Sequence, residues 1–595
     1  MPSSPSASLR STVITIAGLA CVLLAASFLV APIPGTNEPH YLSKARAAAD
    51  PDWCVNDFFL QSQNAHAVFF AVVGPFAKAL PFTWVLVVGR IFSLLLVAIG
   101  LHALCLAVGC SGHRAIVSAT LFFLIGRTGN FSGEWVIGGF ESKVPAYGFA
   151  FLSLACCLRN RSKPALLRYA LAGLFAGSAI AWHPVVGMWT AIAISMTEVW
   201  LWRKPTTSDS SVCNGVASLL RRGTVFGCVT IVAALPGLIP ALRMLLSSDL
   251  DLATKQEAKQ IQVFYRLAHH LDPTRFPAIA WWHTGALIAV LCCTVFWIRK
   301  RRLDSRLDET ENETAGHTEE DAVAAKVQLG GGEIYLLKFL VCTAIIAAVG
   351  IGIGWHFEPM AGLESRHWRA SLLQFYPFRL FDAFLPLCVA IFVSAIPATI
   401  LSGWHADHSN RDSESSAKML VTIMLMVIVC AAAALATRRK APSGYSLPLF
   451  TEWQHACAWL KTNTDKDALI FAPRESFALK LYAERAEYVT FKDCPQDAAG
   501  IVEWNRRLWN LHRWSRQSYQ DSVFRSDELE NLHQKMGIDY VLTRRLGPFT
   551  VAPVWEGKSW RIYPTVKAVA KTEENGQGPA RNLGIDQTAP VRGGL

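Results

Sequence analysis

The chain has 595 residues, 52% of them hydrophobic and only 17% charged, with a formal net charge of +11. That charged share falls well below the usual quarter and excludes a single soluble domain, which would also need far less length. The basic residues flank apolar runs and do not collect on one soluble face, which gives no basis for nucleic-acid binding.

The first apolar run, 12–33, is preceded by one basic residue, Arg10. It is longer than a signal-peptide core, and Ala47-Ala48-Ala49 comes too late for cleavage, so it reads as an uncleaved first span. Further runs at 82–108, 115–128, 143–158, 166–182, 185–202, 223–245, 278–298, 333–354, 379–402 and 418–436 bring the expected number of transmembrane helices to about eleven. About 20 apolar residues cross a bilayer, and continuous rather than alternating runs argue against a barrel. A cytoplasmic N-terminus puts Arg114, Arg159, Arg161, Lys163, Arg168, Arg203, Lys204, Arg221, Arg222 and the run Arg299-Lys300-Arg301-Arg302 all on the cytoplasmic side. The expected place is a bacterial inner membrane, with the C-terminal tail outside.

Three outer loops are substantial: 34–81, 246–277 and 355–378. The first carries Glu38, Asp50, Asp52 and Asp57. Its apolar second half, broken by Gly74-Pro75 and Pro81, reads as lying along the membrane interface. The second holds LATKQEAKQIQVFYRLAHHLDP, a helix ended by Asp272-Pro273. Inside, 303–332 reads as a disordered linker, where the sequon Asn312-Glu313-Thr314 lies on the wrong side for glycosylation, and 403–417 is a second polar loop. Most cysteines sit in spans as small hydrophobes, and none has zinc spacing. Cys54 and Cys494 both fall on the oxidising side, where a disulfide is permitted but not favoured.

The segment 440–571 alternates patterns. Strands are expected at 468–471, 488–491, 539–542, 554–556 and 560–563, and helices at 475–485, 498–511 and 527–536, which makes a small α/β domain. Residues 572–595 read as a disordered end.

Gly35-Thr36-Asn37-Glu38-Pro39-His40-Tyr41-Leu42 follows the first span directly. An acidic residue there, then amphipathic sequence, more spans and a soluble tail, resembles the GT-C type of membrane glycosyltransferase. That resemblance implies a sugar donor carried on polyprenyl phosphate, an envelope acceptor on the outer face, and an inverting displacement. It casts Glu38 as the general base, a group that works best when its pKa is tuned near operating pH, with Asp57 second. Relatives often carry Asp or an Asp-Glu pair here; Asn37-Glu38 departs from this and weakens a metal-binding role, so no cofactor is assigned. Asn37-Glu38-Pro39 is equally a helix-start signal, and Asp57 reads as an N-cap before FFLQSQ.

Other residues join the candidate substrate site. His40 and His66 can bind a phosphate or a metal, although each reads more readily as a polar loop residue. Gly138-Gly139 allows a tight re-entrant turn that aims Glu141 and Lys143 inward, with Glu134 nearby; the plainer reading is span-end charges. Trp182-His183-Pro184 marks an outer turn. Charges at membrane depth are costly, and Arg379, in Tyr376-Pro377-Phe378-Arg379-Leu380-Phe381-Asp382, suits a lipid phosphate through its guanidinium, unless it simply pairs with Asp382. Arg90 and Arg366 are weaker candidates of this kind. Within the tail, Phe471-Ala472-Pro473-Arg474-Glu475-Ser476-Phe477, Tyr482-Ala483-Glu484-Arg485, Phe491-Lys492-Asp493-Cys494-Pro495 and Glu503-Trp504-Asn505-Arg506-Arg507-Leu508 look like a domain of unknown function found at the C-terminus of uncharacterised bacterial multi-span proteins, over about 470–545. The alternatives are a transporter, which calls for paired mid-span charges and repeated halves, and a non-catalytic envelope-assembly protein using the tail as an interaction module.

Overall fold

The computed structural model describes residues 5–127, 129–158, 165–202, 209–246, 250–313, 329–358, 365–396, 411–436, 445–472, 478–520 and 524–566. The basic residues Arg159, Arg161, Lys163, Arg203 and Lys204, residues 314–328 of the 303–332 linker with Thr314 of the sequon, 473–477 and the 572–595 end lie outside these.

Among the described residues each apolar run is helical over most of its length, and seven helices are long and apolar enough to cross a membrane: Leu9–Val30, Phe82–Ala107, Pro184–Leu201, Val216–Leu246, Ala278–Asp304, Gly331–Gly354 and Lys418–Ala436. The other four expected spans fall on Gly112–Gly126, Lys143–Leu158, Ala165–Trp182 and Arg379–Val393. At 1.5 Å per residue these reach roughly 22–27 Å, short of a hydrocarbon core of about 30 Å. The peripheral helices turn large apolar side chains outward: Trp282 is 78% exposed and Phe296 70%. Soluble proteins do not present such continuous apolar surface, so the bundle belongs in a membrane.

Small residues let the helices approach closely. A Cβ on Gly173 would sit 2.6 Å from the Phe226 carbonyl oxygen, and one on Gly177 2.4 Å from that of Thr230. This Gly-x-x-x-Gly step packs Ala165–Trp182 backbone to backbone against Asp209–Leu246, the contact that replaces a hydrophobic driving force inside lipid. The inner face of the bundle is continuous, with Phe151, Phe339, Phe378, Phe384 and Phe392 fully buried.

The first loop is ordered. Glu38–Ala49 and Ala67–Ala79 are helices packed on each other, and Val72, Phe76 and Leu80 of the second are exposed. Between them, Trp53, Cys54, Phe59 and Leu60 enter the core of the tail domain alongside Trp504, Trp514, Val541 and Tyr563.

That tail is a five-stranded sheet in the order β2 (Ala486–Glu487), β1 (Leu469–Phe471), β3 (Tyr540–Thr543), β5 (Arg561–Pro564), β4 (Trp555–Glu556). β1 runs parallel to β2 and β3, and β5 closes antiparallel on β3 and β4. The strand expected at 488–491 is displaced to Ala486–Glu487, because the chain turns away at Tyr488 to carry 490–496 across the bundle. The expected helix 475–485 is ordered only as Leu479–Ala483 among the described residues, stopped by Glu484 in a left-handed conformation (φ 48°). A further helix, Leu447–Asn463, packs Phe450, Trp453, Cys457 and Leu460 against the other face of the sheet. Cys54 and Cys494 are both free thiols.

Charge fixes the docking of tail on loop. Lys480, 2% exposed, lies 2.5 Å from Asp493, 3.2 Å from Glu487 and 3.3 Å from Asp57. Asp57 caps Phe58–Gln61, accepting from the Leu60 amide at 3.0 Å, and its other oxygen accepts from the Glu487 amide at 3.0 Å. Burial pushes the Glu487 carboxyl up to about 8, against the pull of Lys480. Burial likewise raises Asp57. Burial would also raise Asp493, but Lys480 and His40 outweigh it and hold that carboxyl below the usual range.

Removing the one cation from this cluster leaves buried carboxylates unpaired. Lys480→Met should cost about 3–5 kcal/mol, measured as a lower Tm of the detergent-solubilised protein and faster proteolysis of the tail. A carboxyl protonated more readily folded than unfolded gives stability that is complete below its unfolded pKa, about 4.3, and is lost as pH rises through its folded value. Stability should therefore fall between about pH 5 and 8, and Glu487→Gln should flatten that slope in thermal melts run across the range.

Candidate functional site

The site is built on a buried ion pair. Glu38 and Arg90 are both fully buried; Arg90 Nε donates to Glu38 Oε1 at 2.7 Å and Nη2 to Oε2 at 2.8 Å. The same carboxylate accepts from the backbone amides of Phe140 at 2.6 Å and Gly35 at 2.5 Å. The guanidinium also donates to the carbonyls of Ala31 and Pro32 at 2.9 and 3.1 Å. One pair thus ties together the end of the first span, the start of helix Glu38–Ala49, the second span and the Gly138-Gly139 turn. A Cβ on Gly139 would come 2.9 Å from the Glu38 carboxyl, so the turn needs glycine there.

Beyond the turn, the chain presents its charges to a cavity of about 960 Å³. Glu141 accepts from Asn37 Nδ2 at 3.0 Å and lies 3.4 Å from Lys143 Nζ. Lys143 also reaches Glu134, at 3.8 Å. Arg379 Nε lies 2.9 Å from the other oxygen of Glu134, Nη1 lies 3.0 Å from His183 Nε2, and the guanidinium stacks over Tyr376 at 4.2 Å. Glu134 and Glu141 are 3% and 7% exposed, and Glu134 Oε1 has no hydrogen-bond donor. Arg379 and Asp382 do not pair. Asp382 instead accepts from the amides of Phe131 and Ser132 and the Ser132 hydroxyl.

The remaining walls come from elsewhere in the chain. His40 and His66 lie on the first-loop side. His40 Nδ1 bonds Asp493 at 2.9 Å, while His66 bridges Ser142 and Gln496 and is pushed down to about 3 by burial and then by His40, so it is neutral. Loop 250–277 contributes Gln262, Arg266 and His270, and the tail contributes Lys492, Cys494 and Gln496. Ile180, Val185, Met188, Leu238, Leu242 and Leu245 form an apolar wall from three helices, and Leu242 and Leu245 are exposed. Among the described residues, no group of three or more His, Cys, Asp or Glu is arranged to hold a metal ion.

Of the residues picked out from the sequence, His40, His66, Glu134, Glu141, Lys143, His183 and Arg379 meet in this cavity. Glu38 lies behind its wall with its carboxylate oxygens engaged. Asp57 sits beneath the tail as a cap, and Arg366 opens the short helix Arg366–Leu373, away from the cavity lining. Arg266 and Lys492 are not among the candidate site residues of the sequence. Each shows there only as a cation set next to aromatic residues, in Phe264-Tyr265-Arg266 and in Phe491-Lys492 of the tail motif.

The family described as a domain of unknown function (DUF6798) matches residues 451–511. This stretch runs from within helix Leu447–Asn463 through β1 and β2 to the cavity-wall segment 492–496 and on into helix Ala498–Gln520. It starts and ends earlier than the 470–545 expected. No curated protein matches the chain.

If the Glu38–Arg90 pair holds the loop, breaking it from either side should be costly. Glu38→Gln and Arg90→Met should each destabilise by about 3–5 kcal/mol, and the double variant by clearly less than their sum, read from Tm values in a double-mutant cycle.

Proposed function

We propose that the protein transfers a sugar from a polyprenyl-phosphate donor to an acceptor of the cell envelope at the extracytoplasmic face of the inner membrane. The observation that carries this reading is the make-up of one cavity: five cations, Arg127, Lys143, Arg266, Arg379 and Lys492, against two carboxylates, beside an apolar wall made by helices of the bundle. A site of that kind suits a ligand with an anionic head and a lipid tail. Orientation supports it too. Arg168, Arg221 and Arg222 lie near the N-terminal ends of the helices whose C-terminal halves supply Ile180 and Leu238–Leu245 to the cavity. The positive-inside rule then turns the cavity outward, with about eleven helices in the membrane domain.

In this reading Glu141 is the general base, in preference to Glu38. Its carboxylate is on the cavity wall, oriented by Asn37, whereas each Glu38 oxygen already accepts two hydrogen bonds. The acceptor hydroxyl oxygen attacks the anomeric carbon as its proton passes to Glu141. The bond from that carbon to the phosphate oxygen breaks, the electron pair leaves on the polyprenyl phosphate, and the anomeric centre inverts. Arg379 and Lys143, held by Glu134, form a fixed cationic floor near the departing charge, an arrangement that needs no reorganisation during reaction.

The test is transfer from radiolabelled undecaprenyl-phosphate hexoses to endogenous envelope acceptors by protein in proteoliposomes. Glu141→Gln should lower the rate by about 10²–10⁴-fold without changing Tm. Equal rates for wild type and variant, or no transfer by wild type from any hexose tried, would sink the proposal.

A further inference from the structure

Apart from Arg127, which donates to the Ala433 carbonyl at 3.0 Å, the cations of the cavity fall into two kinds. Arg379 and Lys143 are neutralised by Glu134 and Glu141 at 2.9–3.8 Å. Arg266 and Lys492 have no carboxylate within ion-pair reach among the described residues. Arg266 Nη2 donates to the Lys492 carbonyl at 3.1 Å, its guanidinium lies over Phe491 at 4.9 Å, and its Nε is buried with no acceptor. Lys492 Nζ makes no hydrogen bond among the described residues. Two side chains of like charge are thus fastened side by side, facing a cavity and short of an anion.

We infer that Arg266 and Lys492 form a subsite for a phosphate group. A phosphate oxygen would accept from the Arg266 guanidinium and a second from Lys492 Nζ, and Arg is suited to bind phosphate through more than one donor. Burial, and then Arg266, push the Lys492 ammonium down to about 8; a bound dianion would stabilise its charged form. The backbone is shaped for this. Arg266 ends a π-helical turn, Ile261–Arg266, in which the Leu267 amide donates to the Gln262 carbonyl at 2.9 Å. Such widened turns are rare and concentrate at functional sites. Lys492 is set by its neighbour Asp493, clamped by Lys480 and His40, so the subsite exists only with the tail docked. The inference rests on the transferase reading only for what carries the phosphate: a lipid and a free phosphate share this chemistry.

Full-length protein in nanodiscs, titrated with decaprenyl phosphate, decaprenol and inorganic phosphate, decides it. Decaprenyl phosphate should bind more tightly than decaprenol. Lys492→Met and Arg266→Gln should each weaken decaprenyl phosphate binding roughly ten- to hundredfold, leave decaprenol binding and Tm unchanged, and Lys492→Arg should recover most of the loss. Inorganic phosphate binding that is equally sensitive, with decaprenyl phosphate no tighter, would keep the subsite and assign it a free phosphate. Unchanged decaprenyl phosphate affinity in both variants would overturn the subsite, and transfer activity persisting in them would leave the transferase reading standing. Sensitive binding with no transfer by wild type would do the reverse.

Discussion

The architecture around the cavity hangs on one buried ion pair. Arg90 sits inside a span where an uncompensated guanidinium would be prohibitively costly, and Glu38 meets it with both oxygens. Because the pair also collects backbone groups from residues 31–35 and 140, it converts a desolvation problem into a joint between the first span, the first loop, the second span and the glycine turn. Asn37, Glu141 and Lys143 take their positions from that joint. A buried salt bridge is weak evidence of net stability, but as a registration device its effect is specific: only one arrangement of the loop satisfies it.

The cavity is made from three parts of the chain that have different jobs. The bundle supplies the apolar wall and a charge-balanced floor. Loop 250–277 and the tail supply Arg266 and Lys492, which have no carboxylate within ion-pair reach among the described residues. The tail is no appended module, since the first loop lends Trp53, Phe59 and Leu60 to its core and Asp57 to its buried charge cluster. The segment matched as a domain of unknown function therefore includes a wall of the candidate site, Lys492 to Gln496.

Much of this was legible in the residue order. Apolar runs gave the helices, and the segments at 468–471, 539–542, 554–556 and 560–563 gave four of the strands. Helix Leu447–Asn463 carries a readable signal, Phe450, Trp453, Cys457 and Leu460 at helical spacing. The charges were harder. Glu38 is conspicuous at the end of a span, but whether it faces a pocket or a partner depends on Arg90, 52 residues away. Lys480 reads as an ordinary helix residue until Asp57, from the first loop, joins Glu487 and Asp493 around it. Periodicity reports which face of an element is buried; it carries no information on which charges meet across hundreds of residues, and the chemistry here is made of such meetings.

That separation bears on how the protein is made. His40 finds Asp493 only after 453 further positions have been synthesised, and Asp57 waits similarly for Glu487, 430 positions on. The polar stretch behind the first span must stay unsatisfied through nearly the whole of translation. Contacts of such sequence separation form late and slowly, so folding ends with the closing of the first loop. A chain cut short of the tail would keep its helices but leave that loop open, with His40 and Asp57 lacking the partners that seat them.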